Sequence, residues 1–175
     1  GTSTLTQNGI FTTDGQGEIT ITNLAPGAYV INEIKAPTGY VMDRASTNVV
    51  IGKNGDTQTV IVKNSKAGTL VLDKRDSLTG KPLQGVTFLV TDGSGAVVGR
   101  SNGEFITDEN GRVVIHDLIP GTTVTAREVK TAEGFVLDGA PKSILIKAGE
   151  VQTLRFYNVR AGGLTVIKKD EKTGE

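Results

Sequence analysis

The sequence lacks cysteine and tryptophan entirely, and its only histidine is His116. The absence of cysteine excludes a disulfide framework, a thiolate metal site and a cysteine nucleophile. A single histidine supports neither a histidine-rich metal centre nor a Ser–His–Asp catalytic set, so we expect His116 to lie at the surface. We therefore predict no metal, no cofactor and no enzymatic turnover for this chain.

The chain also lacks an excess of either charge and any long apolar run. Lys and Arg number 19, as do Asp and Glu, so the net charge is zero. This balance gives no indication of a nucleic acid or an anionic membrane as a partner. No stretch is long enough to span a bilayer. No signal peptide is visible, but the chain starts within a repeated pattern, so its absence says nothing about export.

Glycine is abundant, at 23 residues, and strong helix signals are absent. Short alternating runs separated by Gly, Asn and Asp turns are typical of an all-β sandwich or barrel. The predicted strands are 69–75, 85–91, 95–100, 112–116, 122–129, 142–147 and 151–158. This density of strands is that of an immunoglobulin-like sandwich.

The strongest organisational feature is an internal repeat with an offset of 94 or 95 residues. Residues 23–27 (NLAPG) match 117–121 (DLIPG), and residues 39–43 (GYVMD) match 134–138 (GFVLD). A repeat of this length indicates a tandem array. We interpret residues 67–160 as one complete unit, residues 1–66 as the later part of a preceding unit, and residues 161–175 as the first strand of a following unit.

Three strands of the complete unit end their apolar row with a polar residue. Side chains alternate between the two faces of a strand, so the apolar face in each case also carries Lys74, Glu128 or Asn158. Buried polar groups need partners. We therefore expect these three side chains to meet in the core.

Together the three residue types have the chemistry to form a covalent bond. A lysine amine that burial keeps neutral attacks a carboxamide carbon when the fold holds the two groups together. A neighbouring carboxyl group shuttles the protons. We assign Lys74 as nucleophile, Asn158 as electrophile and Glu128 as proton shuttle of an isopeptide cross-link. The simpler alternatives are a snorkelling Lys74 and a Lys74–Glu128 salt bridge without further chemistry.

In the flanking partial units, too, a polar residue falls on the apolar face of each strand. Glu33 takes the position of Glu128, Asn64 that of Asn158, and Lys168 that of Lys74. The Glu33 and Asn64 pair lacks a lysine, and Lys168 lacks an acceptor. One hypothesis is therefore head-to-tail association, in which Lys168 of one copy joins Asn64 of another.

Four segments of the complete unit resemble the Cna protein B-type repeat, which has a prealbumin-like fold. They are residues 68–85 (GTLVLDKRDSLTGKPLQG), 118–121 (LIPG), 127–130 (REVK) and 156–158 (FYN). The resemblance implies a stalk of tandem prealbumin-like β-sandwiches in an extracellular, cell-wall adhesin or pilin of a Gram-positive bacterium. It also implies a self-formed Lys–Asn isopeptide bond assisted by a Glu, matched here by Lys74, Asn158 and Glu128.

The resemblance leaves one alternative function and shows one departure from the family pattern. The implied partners are neighbouring repeats of the same chain, and the alternative is a module that binds a host matrix protein, which the scarcity of aromatic residues disfavours. Where the family usually has Ala-Pro, this chain has Thr131-Ala132. This departure lies in a loop, and we expect it not to touch the three reacting residues.

Overall fold

The computed structural model describes residues 9–42, 44–53, 55–99 and 101–174, together with a short strand at Thr2–Ser3. The described residues form strands and no helix, which confirms the all-β prediction, and none of them forms a helix capable of crossing a membrane. The strands are β1 (Thr2–Ser3), β2 (Thr20–Ile21), β3 (Gly27–Ile31), β4 (Tyr40–Val41), β5 (Thr47–Ile51), β6 (Ser65–Lys66), β7 (Gly68–Asp76), β8 (Thr87–Asp92), β9 (Glu104–Ile106), β10 (Arg112–Leu118), β11 (Thr123–Lys130), β12 (Lys142–Leu145) and β13 (Val151–Asn158).

The chain divides into two compact units. The first comprises Gly1–Ala36 and Met42–Asn64, and the second comprises Pro37–Val41 and Ser65–Glu175. In the first unit, β1 pairs with β2 in parallel and β3 pairs with β5 antiparallel. None of the described hydrophobic side chains of the first unit is buried. Its strands are therefore paired but not covered by a core.

The second unit is a β-sandwich. One sheet has the strand order β10-β7-β13 and the other has the order β12-β11-β8-β9. β7 is the central strand of its sheet, antiparallel to β10 and parallel to β13. The core between the sheets is formed by Leu70, Leu72, Leu83, Val86, Phe88, Val90, Val113, Ile115, Leu118, Val124, Ala126, Ile146 and Phe156.

Six of the seven strands predicted for the second unit are present, with ends shifted by at most two residues. The strand predicted at 95–100 is wrong for its described part, where Val97 forms only an isolated bridge to Thr91. Gly95 and Gly99 have φ angles of 86° and 82°, which an extended strand does not accommodate. The fourth strand of this sheet is β9, which the sequence analysis missed.

The internal repeat is visible in strand register. Tyr29 pairs with Val49 in the β3–β5 hairpin, and Val124 pairs with Ile144 in the β11–β12 hairpin. Both partners are displaced by the same offset of 95 residues. The repeated sequence thus produces the same hairpin in both units.

Candidate functional site

Lys74 lies on the inward face of β7, in line with Leu70 and Leu72, and all three are 0% exposed. Its backbone is held on both sides, because its N–H donates to the Gly111 carbonyl at 2.8 Å and its carbonyl accepts from the Leu83 N–H at 3.1 Å. The Lys74 side chain is completely buried and does not reach solvent. The snorkelling alternative is therefore excluded.

The two sheets bring Glu128 and Asn158 to Lys74. Asn158 ends the neighbouring parallel strand β13, whereas Glu128 comes from β11 in the opposite sheet. Lys74 Nζ lies 2.7 Å from Glu128 Oε2 and 2.5 Å from Asn158 Oδ1. Asn158 Nδ2 donates to Glu128 Oε1 at 2.7 Å. Glu128 and Asn158 are each 1% exposed, so the three side chains form a closed ring of hydrogen bonds in the buried interior.

The surroundings of Lys74 lower its pKa. Burial among apolar side chains lowers the pKa of Lys74, and the nearby Lys142 ammonium lowers it further, while the hydrogen bond and charge of Glu128 oppose the shift. Lys74 Nζ lies 5.9 Å and Lys142 Nζ 5.0 Å from the centroid of the Phe156 ring. Phe156 in turn packs against Phe88, with ring centroids 4.7 Å apart. The Lys74 and Lys142 side chains therefore both place their nitrogen over the Phe156 ring.

Thr131 belongs to this cluster, and the expectation that the departure in its loop leaves the reacting residues untouched is wrong. Asn158 Nδ2 donates a second hydrogen bond to Thr131 Oγ1 at 2.7 Å. Thr131 directly follows β11 and is only partly buried. Sequence reasoning missed the contact because the loop carries no strand alternation from which to infer where a side chain points.

In the first unit, the structure brings Glu33 and Asn64 together. Asn64 Nδ2 donates to Glu33 Oε1 at 2.6 Å, the same atoms that join Asn158 to Glu128. Asn64 Oδ1 is buried and finds no hydrogen-bond partner among the described residues. In the second unit, the corresponding oxygen is the one that accepts from Lys74.

Lys168 is not brought to an acceptor. Residues 161–169 form no strand, and Leu164 and Ile167 are 88% and 72% exposed. The turn that follows is formed nevertheless, since Asp170 Oδ1 accepts from the backbone N–H groups of Lys172 and Thr173 at 2.8 Å. Asp76 makes the corresponding turn after β7. Residues 161–173 therefore form the same turn as the one that follows β7, but they do not form a paired strand before it.

His116 and two aspartates outside the cluster make contacts that stabilise strands and turns. His116 is exposed, as predicted, and lies 3.4 Å from Thr69 Oγ1 through its Nδ1 atom. Asp14 and Asp108 each accept two backbone N–H groups in turns of the same geometry. No group of three or more metal-ligating side chains occurs in the described part of the chain.

The chain is similar to known proteins in both sequence and fold. A family model described as SpaA, prealbumin-like fold domain, matches residues 1–66 and 68–160. A search of the curated proteins found no match. The Bacillus anthracis TIE protein is 28% identical with a TM-score of 0.52 over 78% of this chain, which spans 26% of that structure.

A second solved structure is that of GBS52, the minor pilin of Streptococcus agalactiae. It is 23% identical with a TM-score of 0.50, over 90% of this chain and 70% of the pilin. Identity at this level indicates a shared fold and nothing further about function.

Proposed function

The chain belongs to the SpaA prealbumin-like fold domain family, and from that premise we propose that it is a stalk or spacer segment of a Gram-positive surface adhesin or pilus-like protein. The structures of similar fold include a minor pilin, and the proposed role is structural, without enzymatic turnover. The proposed location is the outside of the cell, in a protein attached to the cell wall. The motifs resembling Cna B-type repeats support this assignment.

We further propose that residues 67–160 form one complete repeat of a tandem array, with parts of neighbouring repeats at 1–66 and 161–175. The two ranges matched by the family model, 1–66 and 68–160, support this division. The shared hairpin register of the two units supports it as well. The neighbouring repeats would then be the main partners of each unit.

The second unit is proposed to carry an isopeptide bond between Lys74 and Asn158. The observation that carries this proposal is the closed hydrogen-bond ring that places the amine 2.5 Å from the carboxamide oxygen, with a carboxyl group bonded to both reactants. Held in this way, the two groups gain the effective concentration of an intramolecular reaction. A simple salt bridge would not require the asparagine.

The reaction consumes no outside reagent. Glu128 takes a proton from the Lys74 ammonium, which leaves a neutral amine and a neutral acid. Lys74 Nζ then attacks Asn158 Cγ to form the new C–N bond, and Glu128 relays one proton from Nζ to Nδ2. The Cγ–Nδ2 bond breaks, and ammonia leaves as a secondary amide forms. Glu128 ends as it began this step, so the protein promotes its own cross-link once.

The cross-link would join the two strands through which an array is loaded. β7 enters the unit and β13 leaves it, and the two lie side by side in parallel. The bond would carry tension from one strand to the other without relying on the sheet. It closes a loop of 84 residues, which on loop-entropy arithmetic stabilises the unit by about 4–5 kcal/mol.

Intact mass spectrometry of the purified chain tests the proposal. We expect the wild-type monomer to be lighter than its sequence by one ammonia, and the Lys74→Ala monomer to show the full mass of its own sequence. Lys130→Ala, which removes an exposed lysine two residues after Glu128, is the matched control and should still lose ammonia. Proteolysis should yield one branched peptide containing Lys74 and Asn158. A wild-type mass equal to the sequence mass rejects the bond and leaves the salt bridge.

Head-to-tail association is a second proposal, and it is favoured by the buried Asn64 Oδ1, which has no hydrogen-bond partner among the described residues. The Glu33–Asn64 pair reproduces two members of the cluster in the second unit. Residues 161–169, with their exposed apolar side chains and Lys168, have the sequence of a strand that would complete it. We propose that this segment of one copy pairs beside Asn64 of another and that Lys168 couples to it.

Concentrated protein analysed on a denaturing gel tests this association. We expect heat-stable dimers and ladders from the wild type, and only monomer from Lys168→Ala. Lys169→Ala is the matched control, because alternation places this lysine on the opposite face, and its ladder should persist. A single monomer band from the wild type at every concentration rejects the proposal.

The alternative role, binding of a host matrix protein, predicts instead saturable binding of isolated repeats to that protein.

A further inference from the structure

The carboxamide of Asn158 is fully engaged by its surroundings. Its oxygen accepts from Lys74, one N–H donates to Glu128, and the other donates to Thr131 Oγ1 at 2.7 Å. A carboxamide has one acceptor atom and two N–H donors. Thr131 therefore satisfies the one hydrogen-bonding group that the lysine and glutamate leave open.

The nitrogen that Thr131 holds is the atom that departs in the proposed reaction. As the Cγ–Nδ2 bond breaks, the nitrogen gains a proton and positive character, and its N–H groups become stronger donors. A hydrogen bond to an ionised donor is stronger than one to a neutral amide. The threonine oxygen therefore stabilises the transition state more than the ground state, which is the condition for catalysis.

The position of Thr131 also suits the departure of ammonia. Lys74, Glu128 and Asn158 are at most 1% exposed, whereas Thr131 is partly exposed. It is thus the member of the cluster that touches both the leaving nitrogen and the solvent. Resting on the proposed isopeptide bond, we propose that Thr131 is a fourth catalytic residue of the coupling site, whose hydroxyl oxygen holds the leaving nitrogen of Asn158 and opens its path to water.

The first unit provides a natural comparison. The residue that corresponds to Thr131 there is Ala36, in the repeated segment Glu33-Ile34-Lys35-Ala36. Alanine has no hydroxyl group, so the leaving nitrogen of Asn64 has no equivalent acceptor from this position. We therefore expect coupling at Asn64 to be slower than coupling at Asn158 even when a lysine is supplied.

The test is the rate of ammonia loss in the full chain during a short pulse of cell-free synthesis. Samples are quenched in acidic denaturant at intervals, and the reacted fraction is read from intact mass. Thr131→Val keeps the shape of the side chain and removes the hydroxyl, and Thr131→Ala copies the first unit. We expect both to react about tenfold more slowly, the effect of one lost hydrogen bond. Thr131→Ser should restore most of the rate.

Folding is checked separately in the Lys74→Ala background, which cannot couple at Asn158. There, Thr131→Val and Thr131→Ala should still unfold in one cooperative transition, with the midpoint lowered only by the loss of the Thr131 hydrogen bond, so that a slower rate reports chemistry rather than misfolding. Equal rates for wild type and both variants overturn the role of Thr131, as does a serine variant that is as slow as the valine variant. A wild type that never loses ammonia overturns the proposed bond itself, which is a different outcome.

Discussion

At the scale of single residues, the decisive feature is a lysine, a glutamate and an asparagine buried in contact. Desolvating an ammonium and a carboxylate costs several kcal/mol per ion, and their mutual attraction does not always offset this cost. Converting the lysine amine and the carboxamide into a secondary amide removes the positive charge from the core. The proposed reaction would therefore remove the desolvation cost of the buried Lys74 charge.

The first prediction concerns the pH dependence of coupling. Lys74 attacks as a neutral amine, and an ammonium cannot attack. Burial lowers the pKa of Lys74, so the neutral amine becomes available at a lower pH than in an exposed lysine. The rate should therefore rise with pH and level off below the ordinary lysine pKa of 10.5.

Quenched-sample mass spectrometry across a pH series measures this profile. Glu128→Gln keeps the shape of the shuttle without its acid–base chemistry and should abolish coupling at every pH. A rate that rises steadily up to and beyond the ordinary lysine pKa would show that an unassisted amine reacts, contrary to the role assigned to Glu128.

At the scale of elements, β7 is positioned by a turn as well as by its two neighbouring strands. Gly111 has a φ of 72°, and a Cβ built on it would collide with the Lys74 carbonyl oxygen and lie 2.9 Å from Leu83 N. The Gly111 carbonyl in turn accepts from the Lys74 N–H. The close approach of this turn to β7 thus requires a residue without a side chain.

The second prediction is that Gly111→Ala destabilises the second unit. We expect a loss of more than about 1 kcal/mol, because alanine meets both an unfavourable φ and a backbone clash. Gly121→Ala is the control, since Gly121 has a φ of 81° but no atom within 4 Å of the added carbon. Urea unfolding in the Lys74→Ala background measures both without the cross-link. Equal losses for the two variants would contradict the close approach.

At the scale of the whole molecule, the two units share a sequence pattern, but among the described residues only the second unit has buried hydrophobic side chains. The β3–β5 hairpin of the first unit has the register of the β11–β12 hairpin of the second. All buried hydrophobic side chains among the described residues lie in the second unit. Since burial of apolar surface is the dominant stabilising contribution, the same hairpin should differ widely in stability between the units.

The third prediction is a contrast in amide hydrogen exchange. Amides of β3 and β5 should exchange much faster than those of β11, because local opening of an uncovered hairpin costs little free energy. The two pairs of strands are a matched comparison, because their register is equivalent and only the β11–β12 pair packs on buried side chains. Mass spectrometry of peptides after timed exchange provides the measurement, and similar protection of the two hairpins would contradict the contrast in burial.

Local properties of the sequence were sufficient to predict most strands of the second unit and the inward direction of its three buried polar side chains. Alternation along a strand placed Lys74, Glu128 and Asn158 on inward faces, because that period is a property of the backbone. The repeat offset identified equivalent positions in the two units. The strand assigned to 95–100 failed because glycines with positive φ interrupt it, and a glycine alone does not reveal which φ it adopts.

Only the tertiary structure decided which groups touch. Lys74 is separated by 54 residues from Glu128 and by 84 from Asn158, so their distances depend on how the strands pair and the sheets pack. The contact of Thr131 with Asn158 Nδ2 arises in the same way, as does the lack of a partner for Asn64 Oδ1 among the described residues. The sequence by itself determined which side chains face inward, whereas contacts across the core required the fold, because alternation carries no information about distance.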